Sequence, residues 1–506
     1  MLDDSRLAVV GRSASATLLF FLLISLAIPS PLTASGQTVP SPSTPASSTF
    51  RPRTPTTPGI ASPAVATPPI PLPLSTPSTA FAPVACDGPC LIRFEAGPTV
   101  DAALAKGGLR PSLTTDTAVW VGGTPADLGL LVASGADPVF IVDATPSLML
   151  YAVTQPIGAT GSDLIEAFGT VLDADASTSI VKVPSVPATV VDLTSAGIRV
   201  QKLVPYVPAG TPLLSNQSIA AQPDVAEVTA TFPDLSTAEI ERSIKALESS
   251  GAGPGELGSR YFALPGNAMA AEYLYLRFAA YGLTVWFEDY VASTGVLSVN
   301  VVAEIPGTDS GEVYAAFAHM DTISQDIGGN DEAPGALDNA TGLAILLENA
   351  RVLSGYRLQY PLRFVALNGE EIGLEGANAF GARHAELGTP FVAGINVDGI
   401  GSAYGQRVLY LNASDASTFI QDIMLEQYGA FGFALNVQPR QNPAIVSDET
   451  PLTLYGIPTL LVAGAIYGDP LVHCACDTID GVDLDYVRAT GRLVLVTAAV
   501  LTAGSD

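Results

Sequence analysis

The chain has 506 residues, four cysteines, three histidines and a formal charge of −27 from 22 basic and 49 acidic side chains. A composition that is 48% hydrophobic and 14% charged excludes disorder throughout, and at roughly 150 residues per domain the length suits about three units. The acid excess argues against a nucleic-acid partner, which needs a basic footprint on phosphates. Three histidines exclude a histidine-rich metal site, so any metal centre must be built mostly from carboxylates.

The first 85 residues hold two acids (Asp3, Asp4) and four bases (Arg6, Arg12, Arg51, Arg53), which leaves −29 for the remainder. Arg6 and Arg12 precede an apolar run from Ala16 to Ile28 and the small residues Thr33, Ala34 and Ser35, the order of a cleaved export signal over 1–35. The run is short for a bilayer span, and no cysteine near the cleavage point offers an acyl anchor. A secreted or extracytoplasmic protein without stable membrane insertion is expected. Residues 36–85 are dominated by Pro, Ser, Thr and Ala, with 13 prolines and no acid between Gly36 and Pro83. Such a segment cannot bury a core and predicts an extended tether.

Folded sequence is expected from Cys86. The stretches Val119–Phe140 and Ile180–Gln201 share one order: strand, proline-marked turn, helix, glycine stop, strand. Leu91–Ser112 is a weaker copy. Repeated β-α-β units predict a small α+β accessory domain or prodomain over 86–220, with no cluster of catalytic residue types. From 225 to 506, short apolar runs alternate with helical patterns. That alternation predicts an α/β domain with a mixed, mainly parallel sheet sandwiched by helices. The last apolar stretch, Arg492–Gly504, is expected to be a packed helix.

In such a sheet, functional groups collect beyond the carboxyl ends of the strands. Here His319 and Asp321 follow one strand, Glu370 and Glu371 a second, and Asp398 a third. A fourth leads to His473, and Asp338 stands just ahead of a helix over Thr341–Leu353. Any one of these is explained as a turn former, a cap or a surface group. Together, so many carboxylates on one edge repel unless cations bind. Imidazole and carboxylate donors suit zinc, and a bridging carboxylate holds two ions about 3.5–4 Å apart. Asp338, Glu371 and Asp398 would neutralise three of the four charges on two Zn²⁺, and a bridging hydroxide the last. Asp321, on the same strand face as His319, is expected to hydrogen-bond its imidazole. Glu370 is left over as a general base. His384, in a helical stretch away from any strand end, reads as a surface residue.

The motifs "HMD" (319–321), "PGALDNATG" (334–342), "GEEIGLEGA" (369–377), "NVD" (396–398), "SDETPLTLYGIP" (447–458) and "HCACDT" (473–478) fall in the order found in M28-type co-catalytic di-zinc aminopeptidases. Residues 258–290 look like the helices that lead into the same fold, so the resemblance covers about 225–506. It implies a secreted, leucyl-aminopeptidase-like exopeptidase acting on peptides with a free amino terminus. One zinc would be held by His319 and Asp398 and the other by Glu371 and His473. Asp338 would bridge them, with Glu370 as the base and Asp321 assisting. Relatives often read S-D-H where this chain has Ser447-Asp448-Glu449. They carry C-Y-H where it has Leu471-Val472-His473, and it has an extra cysteine at 474. Val472 thus replaces a tyrosine that polarises the scissile carbonyl in some relatives. The same fold also serves carboxypeptidases, single-zinc glutaminyl cyclases and non-catalytic binding proteins, which remain the alternatives. Among the cysteines, geometry favours a local Cys86–Cys90 disulfide and disfavours a tight Cys474–Cys476 ring; a link between the two regions is the third pairing.

Overall fold

A computed structural model describes residues 90–504 apart from 137, 143–146, 157–160, 176, 209–210, 212, 215, 253–255 and 465–468. The expected export signal, the tether and Cys86 lie outside the described residues. Two copies of one chain order come first. The first copy runs β1 (Cys90–Glu95), α1 (Pro98–Gly107), β2 (Leu113–Thr114), β3 (Ala118–Gly123), α2 (Pro125–Ala133) and β4 (Pro138–Val142). The second runs β5 (Leu150–Thr154), α3 (Ser162–Phe168), β6 (Thr170–Ala174), β7 (Thr178–Lys182), α4 (Val191–Ser195) and β8 (Arg199–Lys202). Their sheets have the matching orders β2-β3-β1-β4 and β6-β7-β5-β8, and every pairing is antiparallel. Each is a split β-α-β arrangement. The similar stretches in the sequence are the second halves of two longer repeats, and the weaker copy is a first half. Leu91, Ala118, Trp120, Leu150, Ala152, Ile180 and Leu203 form an apolar layer shared by the two copies. The Trp120 indole N–H donates to Asp173 at 2.9 Å across that layer.

Beyond two short helices, α5 (Asn216–Ala220) and α6 (Glu227–Thr231), the larger domain opens with α7 (Thr237–Glu248) and α8 (Pro265–Ala280). Ser236 caps α7 by accepting the Glu239 backbone N–H at 3.2 Å, the serine half of a capping box. Eight strands follow: β9 (Thr284–Val291), β10 (Leu297–Ile305), β11 (Val313–His319), β12 (Leu362–Leu367), β13 (Phe391–Asp398), β14 (Val408–Ala413), β15 (Asn436–Gln441) and β16 (Thr459–Ala463). They form one sheet, ordered β15-β14-β16-β13-β11-β12-β10-β9. Its centre, β12-β11-β13-β16, is parallel, and the flanks carry antiparallel pairs. The central strands are continuous apolar runs because helices cover both faces. These are α8, α9 (Thr341–Leu353), α10 (Glu375–Leu387), α11 (Thr418–Phe431), α12 (Glu449–Leu454) and α13 (Leu484–Ala503). Helix α13 is long and apolar enough to cross a membrane, but 67% of its apolar window is buried against the helices around it.

The smaller domain is sewn to the β9–β10 edge. Lys202 N–H donates to Asp289 at 2.9 Å, and Leu297 N–H to the Ala188 carbonyl at 3.0 Å. Leu297 of β10 belongs to the apolar cluster of the second repeat.

Candidate metal centre

Strands β11 and β13 are parallel neighbours, so their last residues, His319 and Asp398, come out side by side. His319 Nε2 lies 3.3 Å from Asp398 Oδ1 and 3.0 Å from Asp338 Oδ1. Asp338 arrives on the turn before α9, where its peptide to Asn339 is cis. That turn is packed tightly: a β-carbon on Gly342 would stand 2.6 Å from the Val397 carbonyl oxygen. The other oxygen of Asp338, Oδ2, is 3.0 Å from His473 Nε2, and Glu371 Oε2 is 3.2 Å from the same nitrogen. All five residues expected as ligands therefore converge, in two imidazole–carboxylate pairs that share Asp338.

The donor set fits a metal. Donor atoms of His319, Asp338 and Glu371 lie within 4.8 Å of one another, and Glu371 Oε1 is buried with no hydrogen-bond partner. A buried, unpaired carboxylate oxygen is costly unless a cation meets it. Burial, with Asp338 beside it, pushes the Glu371 carboxyl up to about 7. Burial works against charge on both imidazoles, yet the carboxylates win. Asp398, Asp321 and Asp338 hold His319 well above the usual range, and Asp338 and Glu371 hold His473 at about 10. Burial likewise raises Asp338, but hydrogen bonds from the two histidines override it and pull the carboxyl down.

Asp321 does a different job from the one expected. Its own carbonyl oxygen is the near partner of His319 Nδ1, at 3.1 Å, while its carboxylate is 3.7 Å away. The carboxylate instead accepts the backbone N–H of Glu370 at 3.0 Å and of Glu371 at 3.2 Å. One residue thus fixes the ring of one donor and the backbone of another. Glu370, carried on the same turn, has its carboxyl held well above the usual range, by burial first and then by Asp398, Asp448 and Glu371.

Two other expectations are corrected. His384 is buried, not a surface residue: it bonds Glu288 at 3.1 Å and Thr389 at 2.8 Å and packs on Phe380 and Phe391. Helical periodicity hid it because its partners come from β9 and the loop after α10. Cys474 and Cys476 do form a disulfide, with their Cα atoms 5.0 Å apart, inside the usual range, so the short ring closes without separating them. Cys90 is also disulfide-bonded; the Cys86 half of the favoured pairing lies outside the described residues.

Several supporting residues escaped sequence reasoning although their motifs had been noticed. Asp477 accepts the N–H of Leu337 at 2.7 Å and of Asp338 at 3.1 Å, and so aims the shared carboxylate. Arg260 is fully buried and donates to the carbonyls of Met320, Pro334 and Gly335 at 2.6–2.9 Å, tying the end of β11 to the Asp338 turn. Ser447 donates to Asp398 Oδ2 at 2.7 Å. Asp448, fully buried, has no hydrogen-bond partner on either oxygen, and burial together with the surrounding acids raises it well above the usual range. The signal for Asp477, Ser447 and Asp448 was their place in the quoted motifs, whereas Arg260 had none; the partners of Asp477, Arg260 and Ser447 are backbone groups or a distant strand that spacing alone does not reveal.

A parallel sheet edge carrying two histidines, three carboxylates of which one is shared, and a raised glutamate defines a metal-dependent hydrolase. Residues 300–498 match peptidase family M28. Those residues form an M28 peptidase domain, and the chain is a zinc hydrolase. It is 24% identical to leupeptin-inactivating enzyme 1 of Streptomyces exfoliatus over 62% of this chain and 72% of that one. It is 26% identical to a probable leucine aminopeptidase of Trichophyton verrucosum over 39% of this chain and 55% of the other, so it spans only about half the length of that relative. Among solved structures, a leucine aminopeptidase precursor from Bacteroides thetaiotaomicron aligns at 19% identity and a TM-score of 0.46, over 54% of this chain and 99% of its own.

Proposed function

We propose that the protein is a secreted aminopeptidase that uses two zinc ions to remove amino-terminal residues from peptides. The observation that carries this reading is Asp338, whose two oxygens each stand 3.0 Å from a different imidazole. Each imidazole also has a carboxylate of its own, Asp398 or Glu371, so a single ion would leave one complete pair unused. When bound, the two ions would supply Lewis acidity toward water and the scissile carbonyl. Glu370 takes the proton from the attacking water and returns it to the leaving amine; a carboxyl raised by burial is a stronger base for that task. Asp321 holds Glu370 in register through its backbone amide.

The surroundings favour an amino terminus over a carboxyl terminus. Asp448 and Glu449 are acids beside Asp398 whose carboxyls burial raises, Glu449 to about 7, and an arriving substrate ammonium would draw them into the ionised form. The basic side chain at the centre, Arg260, has its donors committed to three carbonyls and is not available to a substrate carboxylate. Secretion is supported by the order of basic, apolar and small residues in the first 35 positions.

The test is a panel of Leu-, Ala-, Lys- and Glu-anilides, free and N-acetylated, given to the purified chain with and without a zinc chelator. Release from the free anilides alone, abolished by the chelator and accompanied by about two zinc ions per chain, is the expected result. Release from acetylated substrates, or no chelator-sensitive release from any of them, would sink the proposal.

A further inference from the structure

The two imidazoles of the centre are backed differently. His319 Nδ1 faces the Asp321 carbonyl oxygen, which can only accept a hydrogen bond. His473 is backed by the side-chain amide of Gln325, whose Nε2 stands 3.1 Å from Nδ1. An amide offers a donor on one side and an acceptor on the other, and a half-turn exchanges them. An ion held at Nε2 needs the lone pair there, so the ring proton must sit on Nδ1 and be received by an acceptor.

The segment that carries Gln325 is built to stay beside His473. Gln325 N–H donates to the His473 carbonyl at 2.9 Å, and Ala475 N–H donates to Asp326 Oδ2 at 2.8 Å. The segment also closes on itself, with Ser324 N–H on Asn330 Oδ1 at 2.7 Å and Gly329 N–H on the Asp326 carbonyl at 2.9 Å. His473 has φ +59°, a left-handed conformation that a side chain with a β-carbon does not favour, so its orientation depends on such outside contacts.

We propose that Gln325 is a positioning residue, which accepts His473 Nδ1–H through Oε1 and so turns Nε2 toward the ion held with Glu371 and Asp338. The proposal rests on the two-zinc reading. It gives the second histidine the outside orientation that Asp321 gives the first, through a neutral amide on an exposed segment in place of a carbonyl at the end of a buried strand.

Zinc titrations against a competing chelator test it on the full chain, the Gln325→Met variant and the Gln325→Glu variant. Ring-¹⁵N spectra of the histidines accompany them, readable because there are only three. Gln325→Met keeps the length of the side chain and loses the acceptor; it should weaken one of the two ions by about 10–100-fold and leave the other unchanged. Gln325→Glu can only accept and should restore that ion to within about threefold of the original affinity, or tighten it. In the zinc-loaded protein, His473 should carry its proton on Nδ1. The proposal is overturned if Gln325→Met binds both ions normally, if it weakens both equally, or if Gln325→Glu gives no rescue. Fewer than two ions on the unaltered chain overturns the two-zinc reading itself, and wild-type stoichiometry tells that failure from the others.

Discussion

His319 and Asp398 end neighbouring parallel strands in the middle of the sheet, whereas His473 and Glu371 sit on turns outside it. The His319 side chain is 1% exposed and that of His473 is 30% exposed. The first half of the centre is placed by the register of β11 and β13, the same hydrogen bonds that build the fold. The second half is placed by contacts that do nothing else: Asp321 on the Glu371 amide, Asp477 on the Asp338 turn, and the Gln325 segment on His473. A bridging site of this kind is as well formed as its weaker half, and the weaker half is where single substitutions should separate metal binding from folding.

The largest effect is expected where the two halves meet the substrate. Glu370→Gln keeps the shape of the turn and its bond to Asp321 but cannot carry a proton. Turnover should fall on the order of 10²–10⁴-fold with zinc content unchanged. Loss of zinc along with activity would make Glu370 part of the metal cage and remove it from the role of base.

Asp321→Ala is the substitution that should damage the Glu371 half and the base together. It leaves two backbone N–H groups, of Glu370 and Glu371, unpaired at a fully buried position. Each unmet donor costs about 1–3 kcal/mol, and zinc affinity should drop about 10–100-fold. Weakening of the His473–Glu371 ion alone would show that His319 needs nothing from the side chain of its neighbour. The carbonyl contact to Nδ1 survives in the variant, so that outcome would sharpen the contrast between a half fixed by backbone and a half fixed by side chains.

How far this division was legible in the sequence follows from the same physics. His319, Asp398, Glu370 and Glu371 could be read because each follows an apolar run, and parallel strands deliver their last residues to one edge. Asp338 and His473 needed motif spacing as well. The supporting groups were not legible. Arg260 precedes the sheet by one helix, α8, and its three acceptors are carbonyls, which no residue pattern marks. Gln325 is a single amide in a polar segment. The sheet class was readable from alternation, but the antiparallel β9–β10 edge that receives the small domain depends on Leu297, Asp289 and Lys202 meeting across some 90 residues.

A pH experiment probes the charge balance of the weaker half. Burial raises Glu371 and Asp477 to about 7, so between the ordinary carboxylate range and 7 the folded, zinc-free protein holds protons that the unfolded chain has released. Its stability should fall as pH rises through that window. His473 runs the same way: raised to about 10 by Asp338 and Glu371 against the opposing effect of burial, it contributes stability that is complete below about 6.5 and lost toward 10. Zinc needs these groups deprotonated, so its affinity should climb over the same range. The increase in melting temperature on adding zinc should therefore be larger at pH 8 than at pH 5.5. Each tenfold gain in affinity adds about 1.4 kcal/mol, or about 3–6 °C for a domain of this size. An increment that is equal at both values, or larger at pH 5.5, would mean that the acids around His473 are already paired without the ion.

The smallest effect is expected from the Cys474–Cys476 disulfide, although it is the covalent feature nearest a proposed ligand. It closes a ring over Ala475, between His473 on one side and Asp477 on the other. Both neighbours have independent anchors: the Gln325 amide and N–H for His473, and the Ala336, Leu337 and Asp338 amides for Asp477. Ala475 itself is held by Asp326. The bridge therefore restrains a segment that six non-covalent contacts already place. Replacing both cysteines by serine should weaken the second ion by no more than about tenfold, at the low end of what a supporting contact provides, and leave the first unchanged. If zinc at the His473 half disappears in the double serine variant, the covalent ring and not the polar strap orients that histidine. The looser half of the centre would then be set by the redox state of its surroundings as much as by its hydrogen bonds.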